Sequence, residues 1–302
     1  MKEEALPEPD ALSEQDTARA EGPGRRRLRL FLRNRLAKTG LGMLVVLVAF
    51  CFLGPLLHRT DQVHTALADA HLPPGSPGHP LGTDDVGFDL LGRLMSGGQT
   101  SLTIGLAAGL LATVIGTLWG AVAGYAGGWV DAVLMRIVDA GIAIPALFLL
   151  LVAGTMVTPS TGMLIVVIGC VSWLVPARLM RAESLALRSR SYVEAMRLSG
   201  GTGLRAIGKH IVPNAIGTVI VNATFQVADA VLLVAYVSFL GLGVPPPAAD
   251  WGGMLSQGLS YTYDGYWWLV FPPGILIIAT VCAFNFVGDG LRDAFDVRLK
   301  ER

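Results

Sequence analysis

Four histidines, His58, His64, His71 and His79, share residues 58–98 with several aspartates, among them Asp84, Asp85 and Asp89. Imidazole and carboxylate are the side chains from which zinc sites are built. The spacing provides none: neither HxxxH nor HExxH occurs, and both residue types are ordinary in solvated loops. A second candidate for chemistry is Gly203-Leu204-Arg205-Ala206-Ile207-Gly208-Lys209-His210, one position away from a phosphate-binding P-loop. His210 stands where Ser or Thr would hold Mg²⁺, and no apolar strand precedes Gly203, so no nucleotide site is expected. Cys51, Cys170 and Cys282 all fall within apolar runs, without the spacing of a metal pair. No GxSxG elbow is present either. The chain is therefore expected to be no enzyme, with no cofactor and no bound metal, and not to hydrolyse ATP itself.

The elements that would carry these residues are dominated by apolar surface. Of 302 residues 52% are hydrophobic and 15% charged, and the mean hydropathy is +0.55. A soluble globular chain rarely has this balance. Six runs, roughly 40–57, 100–124, 131–155, 162–181, 214–240 and 265–288, are long enough to cross a bilayer. An all-α polytopic membrane protein is predicted. No cleavable signal peptide is evident, because the first apolar run begins near residue 41 and exceeds signal-peptide length.

Formal charge sums to zero, but it is segregated. Residues 1–24 are acidic and Pro/Ala-rich, and are predicted to be a disordered cytoplasmic tail. Residues 25–39 carry seven basic side chains interleaved with leucines and Phe31. They read as an amphipathic helix on the membrane surface, with lipid rather than nucleic acid as partner. Lys and Arg also crowd residues 178–209 and the tail 291–302, whereas 156–161 and 241–264 contain none. By the positive-inside rule both termini and the 178–209 loop face the cytoplasm, and 58–98 faces outside.

Several residues within the spans require company. Arg136 and Asp139 are three apart and can pair on one helix face, although Arg136 can also snorkel to the cytoplasm. Asn222, Gln226 and Asp229 line one span, where they either border a solvated path or bond to neighbouring helices. Gly105, Gly109, Gly116, Gly120 and Gly124 form a small-residue ladder, read as packing within the subunit in preference to a dimer seam. Pro145 and Pro176 should kink their helices. Trp251, Trp267 and Trp268 suit an outer interface belt.

The longest basic interruption between apolar runs is 185–213. Tyr192, Glu194, Ala195 and Arg197 lie on a first short helix, which breaks at Gly200-Gly201. Thr202 can cap a second, and Pro213 should end it or start the next element. This stretch resembles the EAA loop of the membrane subunits of ATP-binding-cassette (ABC) importers: Glu194-Ala195-Met196, Gly200, then Ile211-Val212-Pro213. Met196 replaces the second alanine and Val212 the leucine before proline. A second stretch, His79-Pro80-Leu81-Gly82-Thr83-Asp84-Asp85 with Gly87 and Asp89, resembles the C-type permease of dipeptide, oligopeptide and nickel importers. Phe88, Gly92 and Gln99 stand where that family usually has Arg, Ser and Arg. Tyr125–Asp131 and Ser238–Gly243 match it as well.

The resemblance implies a type I ABC importer permease fold: a first span 40–57, an extracytoplasmic loop 58–98 and a transmembrane domain 99–290. It implies ATPase coupling through Tyr192, Glu194, Ala195, Arg197, Gly200, Gly201 and Pro213. The implied partners are ABC ATPase subunits, a second homologous permease and an extracytoplasmic substrate-binding protein. The implied cargo is a di- or oligopeptide, with nickel or glutathione as alternatives. An ion-coupled carrier, which would want matched broken helices in two repeats, is the more distant reading.

Overall fold

Apolar segments become helices here because a bilayer core offers no water to backbone amides, so each segment must close its own hydrogen bonds. The computed structural model describes residues 23–300, with side chains described from 28 to 295. All but the last two residues of the acidic tail lie outside that range. In order, the helices are α1 (Pro23–Arg33), α2 (Arg35–Leu57), α3 (Leu90–Ala126), α4 (Gly128–Ile142), α5 (Ala146–Met156) and α6 (Thr161–Ser172). Then come α7 (Leu174–Arg188), α8 (Ser191–Leu198), α9 (Gly203–Ala206), α10 (Val212–Val237), α11 (Trp251–Leu259) and α12 (Phe271–Lys300).

Four runs are long and apolar enough to cross a membrane unbroken: Arg35–Leu57, Leu90–Ala126, Gly203–Leu242 and Trp267–Phe295. Two further spans are bent pairs, α4 with α5 at 81° and α6 with α7 at 44°. The total is six if each pair is one span, as the hydropathy pattern predicts. Both bends lie beside the expected prolines. Pro145 stands at the start of α5, and Pro176 lies in the first turn of α7.

The long helix α3 is the centre of the bundle, and its glycine ladder divides between two partners. A Cβ at Gly105 would lie 2.3 Å from Val231 Cγ2, and one at Gly109 2.8 Å from Val227 Cα, both on α10. A Cβ at Gly120 would lie 2.2 Å from the Ala177 carbonyl oxygen, and one at Gly124 2.6 Å from that of Arg181, both on α7. The ladder therefore serves packing within the subunit. Ser184 Oγ, buried in the same seam, donates to the Ala121 carbonyl at 3.0 Å.

Three expectations are corrected. Asp139 accepts from Arg178 Nη2 at 2.6 Å, not from Arg136. Asp131, two turns away on the same face of α4, takes Arg181 at 2.6 Å through both of its oxygens. α7 lies alongside with basic residues three apart, so pairing between helices replaces pairing along one. Trp251 is fully buried, and its indole N–H donates to the Leu94 carbonyl at 2.9 Å. Trp268 is buried too and donates to Thr83 O at 3.3 Å. Only Trp267 of the three is exposed, because the 241–270 segment folds back onto the bundle.

The basic stretch 25–39 is not one surface helix. Asn34 interrupts it, its side-chain oxygen capping α2 by accepting from Leu36 N and Ala37 N. Phe31 packs with Ala37 and Ala294, which ties α1 to α12. The 291–302 tail likewise continues α12 through Lys300. Pro213 stands in the first turn of α10, the start of the next element, although the candidate span Gly203–Leu242 carries through it. A π turn over Ile207–Ile211 precedes the proline, and Val212 N bonds to Ile207 O. The wider turn accommodates the ring and the missing amide donor.

Candidate functional site: a helical elbow and an outer clamp

Two constructions stand out from the bundle, one at each end of α3. The first is the elbow 189–213. Helix α8 starts after Arg190, whose carbonyl accepts from Val193 N and Glu194 N. Val193 is fully buried and fastens the helix to the bundle. Glu194 and Ala195 point to solvent in its first turns, where a carboxylate also suits the positive helix end. The helix closes with a Schellman arrangement: Gly201 N donates to Met196 O at 3.0 Å, around Gly200 at φ +79°. A Cβ at Gly201 would strike Met196 Sδ at 1.9 Å, whereas nothing lies within 4 Å of one at Gly200. The first glycine is needed for its backbone angle and the second for space. Thr202 then caps α9, accepting from Arg205 N at 3.4 Å.

The elbow is braced from behind. The Arg197 guanidinium lies over the Tyr125 ring at 5.3 Å. Arg188 Nη1 donates to Gly124 O at 3.2 Å, at the α3–α4 turn. Tyr192 and His210 rings are 6.0 Å apart, bringing α8 against the π turn. What faces outward is Leu198 at 90% exposure and Leu204 at 82%, flanked by Glu194 and Tyr192. Exposed leucines on a polar, basic tip are costly in water and suit a surface that another protein covers. Tyr192, Glu194, Ala195, Arg197, Gly200 and Gly201 thus converge on one knob. Pro213 lies at its base, within the continuous helix.

The second construction is the outer clamp. Asp89 caps α3, accepting from Gly92 N at 2.8 Å, and its two oxygens also accept from His79 Nδ1 and His58 Nε2, each at 3.0 Å. Asp84 accepts from Phe88 N at 2.8 Å and Val86 N at 3.1 Å, and lies 3.7 Å from Arg93 Nε. Burial nevertheless raises its pKa. Thr83 accepts from Leu72 N and donates to Asp69 O. Tyr261 reaches Asp85 at 3.3 Å across to the 241–270 segment. Gly82 and Gly87, at φ +83° and +85°, pass against the Leu72 and Ala66 carbonyls. Pro80 is exposed at the rim. These residues bind one another, and their chemistry is that of a fastening. Asp89→Ala should lower stability by about 2 kcal/mol, one cap plus two side-chain bonds. Thermal unfolding in detergent would register this as a lower midpoint, with Asp89→Asn less affected.

The positions at which the motif departs from the family it resembles are used for packing. Arg93 stacks on Phe88 at 4.2 Å and donates to Pro247 O at 2.7 Å. Gln99 donates to Cys51 O at 2.7 Å, and a Cβ at position 92 would lie 2.0 Å from Thr60 Oγ1.

Residues 116–301, which include the elbow, match the family described as the binding-protein-dependent transport system inner membrane component. The chain belongs to that family. Residues 22–74 match a second description, the N-terminal TM domain of oligopeptide transport permease C. Oligopeptide transport system permease protein OppC of Escherichia coli K12 is 41% identical over 270 residues, covering 89% of each chain. Dipeptide transport system permease protein DppC of Bacillus subtilis is 35% identical over 268 residues, covering 89% of this chain and 83% of its own. Among solved structures, a chain of the MetNI methionine ABC transporter in an inward-facing form aligns with a TM-score of 0.55. It covers 67% of this chain at 21% identity, a likeness of fold. The inner-membrane family and the six-span helical fold thus agree.

Of the expected site residues, the elbow set and the clamp set lie in separate constructions. Sequence reading missed the outward pair Leu198 and Leu204, which are apolar residues inside a basic loop. It also missed Val193 and Ile211 as the buried anchors that hold the elbow to the bundle. The signal was available in the apolar spacing of α8, weakly, because eight residues make barely two turns.

Proposed function

We propose that this chain is one of two permease subunits of an ATP-driven importer of di- or oligopeptides. The carrying observation is the elbow: a braced, solvent-facing knob with two exposed leucines. In this reading Glu194 to Leu198 enter a groove on a separate ATPase subunit, and the Gly200-Gly201 reversal sets the angle of α9. α9 passes through the π turn Ile207–Ile211 into α10, so rotation of the knob is passed to a span as a lever. The docked ATPase can bias the gate only by holding its two states with different affinity. A near-complete switch takes about 5.5 kcal/mol of such difference.

Peptide cargo is favoured by the names of the relatives, which are dipeptide and oligopeptide permeases. A second, homologous permease would complete the pathway, and an extracytoplasmic binding protein would deliver cargo. In this arrangement both termini and the elbow are cytoplasmic, and 58–98 is the extracytoplasmic loop beside the first span 40–57.

The test is peptide uptake in cells whose partner ATPase is inactivated. Uptake should stop, and continued uptake would favour an ion-driven carrier. In the same system, with Cys51, Cys170 and Cys282 replaced, a cysteine at Leu198 should react with an impermeant thiol reagent only in inside-out vesicles. The bound ATPase should protect it.

A further inference from the structure

A cavity of about 420 Å³ opens where the two bent spans meet α10. Its walls include Ile144 and Pro145 at the 81° break, Leu174 and Val175 at the 44° break, and Leu233 and Tyr236 of α10. Most of this lining is apolar. Three polar side chains interrupt it, and each lacks a partner among the described residues. Ser172 Oγ is buried without a hydrogen bond. Gln226 is only 5% exposed and makes no hydrogen bond. Asp229, one turn further along α10 and open to the cavity, carries neither hydrogen bond nor ion pair.

The other acids on the spans that wall the cavity are satisfied. Asp131 and Asp139 have their arginines, and Glu183 accepts from Thr218 Oγ1 at 2.9 Å. Asp229 lies near the middle of its span, far from either end where a carboxylate could reach water along the surface. An ionisable group at that depth is expensive unless it faces a solvated cavity or a counter-charge. A permanent counter-charge would complete a fixed site. An unpaired carboxylate beside an unpartnered amide instead leaves a place for a transient cation. Helix breaks that frame a mid-membrane cavity are also where membrane carriers hold what they carry. The cavity volume suits a small group rather than a whole oligopeptide. A single charge without further ion-pair partners makes the hold weak, and conduction needs a site that releases.

We propose that this cavity is a passing station for the cationic amino terminus of the cargo, with Asp229 receiving the ammonium group and Gln226 giving it a second polar contact. The inference rests on the peptide reading above. It adds a specificity-determining residue: the pathway would prefer cargo with a free amine.

The test uses the complete transporter in proteoliposomes, with wild type, Asp229→Asn and Asp229→Glu. The probes are a labelled oligopeptide and its des-amino analogue, each supplied on saturating binding protein. Wild type should carry the amino form faster, by about tenfold, the scale of one hydrogen bond to a charged group. Asp229→Asn should bring the two forms to nearly equal rates, while the yield and subunit composition of the purified complex stay those of wild type. Asp229→Glu should recover the preference. If wild type carries no peptide at all, the peptide reading fails and this inference falls with it. If wild type carries peptide but treats both forms alike, or Asp229→Asn keeps the wild-type preference, only the station is overturned. Equal loss of both forms in Asp229→Asn, or dissociation of the complex, would also overturn it. Either result would make Asp229 a structural contact to the second permease.

Discussion

Replacing Gly120 with valine should leave almost no correctly folded protein in the membrane. The Cβ alone would meet the Ala177 carbonyl oxygen at 2.2 Å, Arg181 N at 2.7 Å and Met180 Cβ at 2.9 Å. Two of these are backbone atoms of α7, which cannot rotate away as a side-chain tip can. Relief requires the helices to separate. Separation removes the close packing at Gly116 and Gly124, the Ser184 bond to Ala121 O and the brace from Arg188 to Gly124 O. In a bilayer that packing is the main force between helices, since lipid is as apolar as the side chains it would replace. Overpacking alone costs about 1–3 kcal/mol, and a broken buried hydrogen bond adds about 1 kcal/mol or more. The yield of monodisperse protein in detergent should collapse, with Gly120→Ala intermediate. Gly42→Val is the control, because nothing lies within 4 Å of a Cβ there. A Gly120→Val variant as stable as Gly42→Val would show that α3 and α7 do not approach this closely.

The second large effect belongs to Gly200, and it should fall on transport rather than on folding. Space is open around the position, so a new side chain meets no obstacle. The obstacle is φ +79°. That angle costs an ordinary residue about 1–2 kcal/mol, and a β-branched one is worse placed still. A valine there would abandon the left-handed conformation, break the Gly201 N to Met196 O bond, and turn α9 away from α8. Under the proposed coupling, uptake should fall by tenfold or more, on the order of the same 1–2 kcal/mol and upward. Membrane insertion and thermal midpoint should stay close to wild type, since the elbow tip contributes little buried surface. Gly200→Asn provides the decisive comparison, because asparagine tolerates the left-handed region. It should retain most uptake. Equal uptake in the valine variant would remove the elbow from the coupling path.

These two glycines also mark how far the residues speak for themselves. Both were visible as glycines in suggestive places. Only the structure distinguishes a glycine kept for space from one kept for its angle, and Gly201 from Gly200 within one pair. The same limit applies to Trp251. Tryptophan in a loop between apolar runs reads as an interface residue, because composition carries no sign of a loop folding back into the bundle. The pairing of Asp139 followed the nearest base in the chain, Arg136, while the base nearest in space was Arg178, 39 positions away.

The number of spans, the positions of the bends at Pro145 and Pro176, the basic elbow and its break at Gly200-Gly201 were set by sequence alone. Each depends on local rules: apolar length against bilayer thickness, ring sterics at proline, and the freedom of glycine. Which helices the ladder joins, how the clamp residues satisfy one another, and that Asp229 faces the cavity without a partner were decided only by tertiary structure. Those outcomes depend on which side chains distant segments bring within about 3 Å, the reach of a hydrogen bond. In a helical membrane protein the spans are stable individually before they meet, and the meeting is settled by steric fit, which spacing along one chain does not encode.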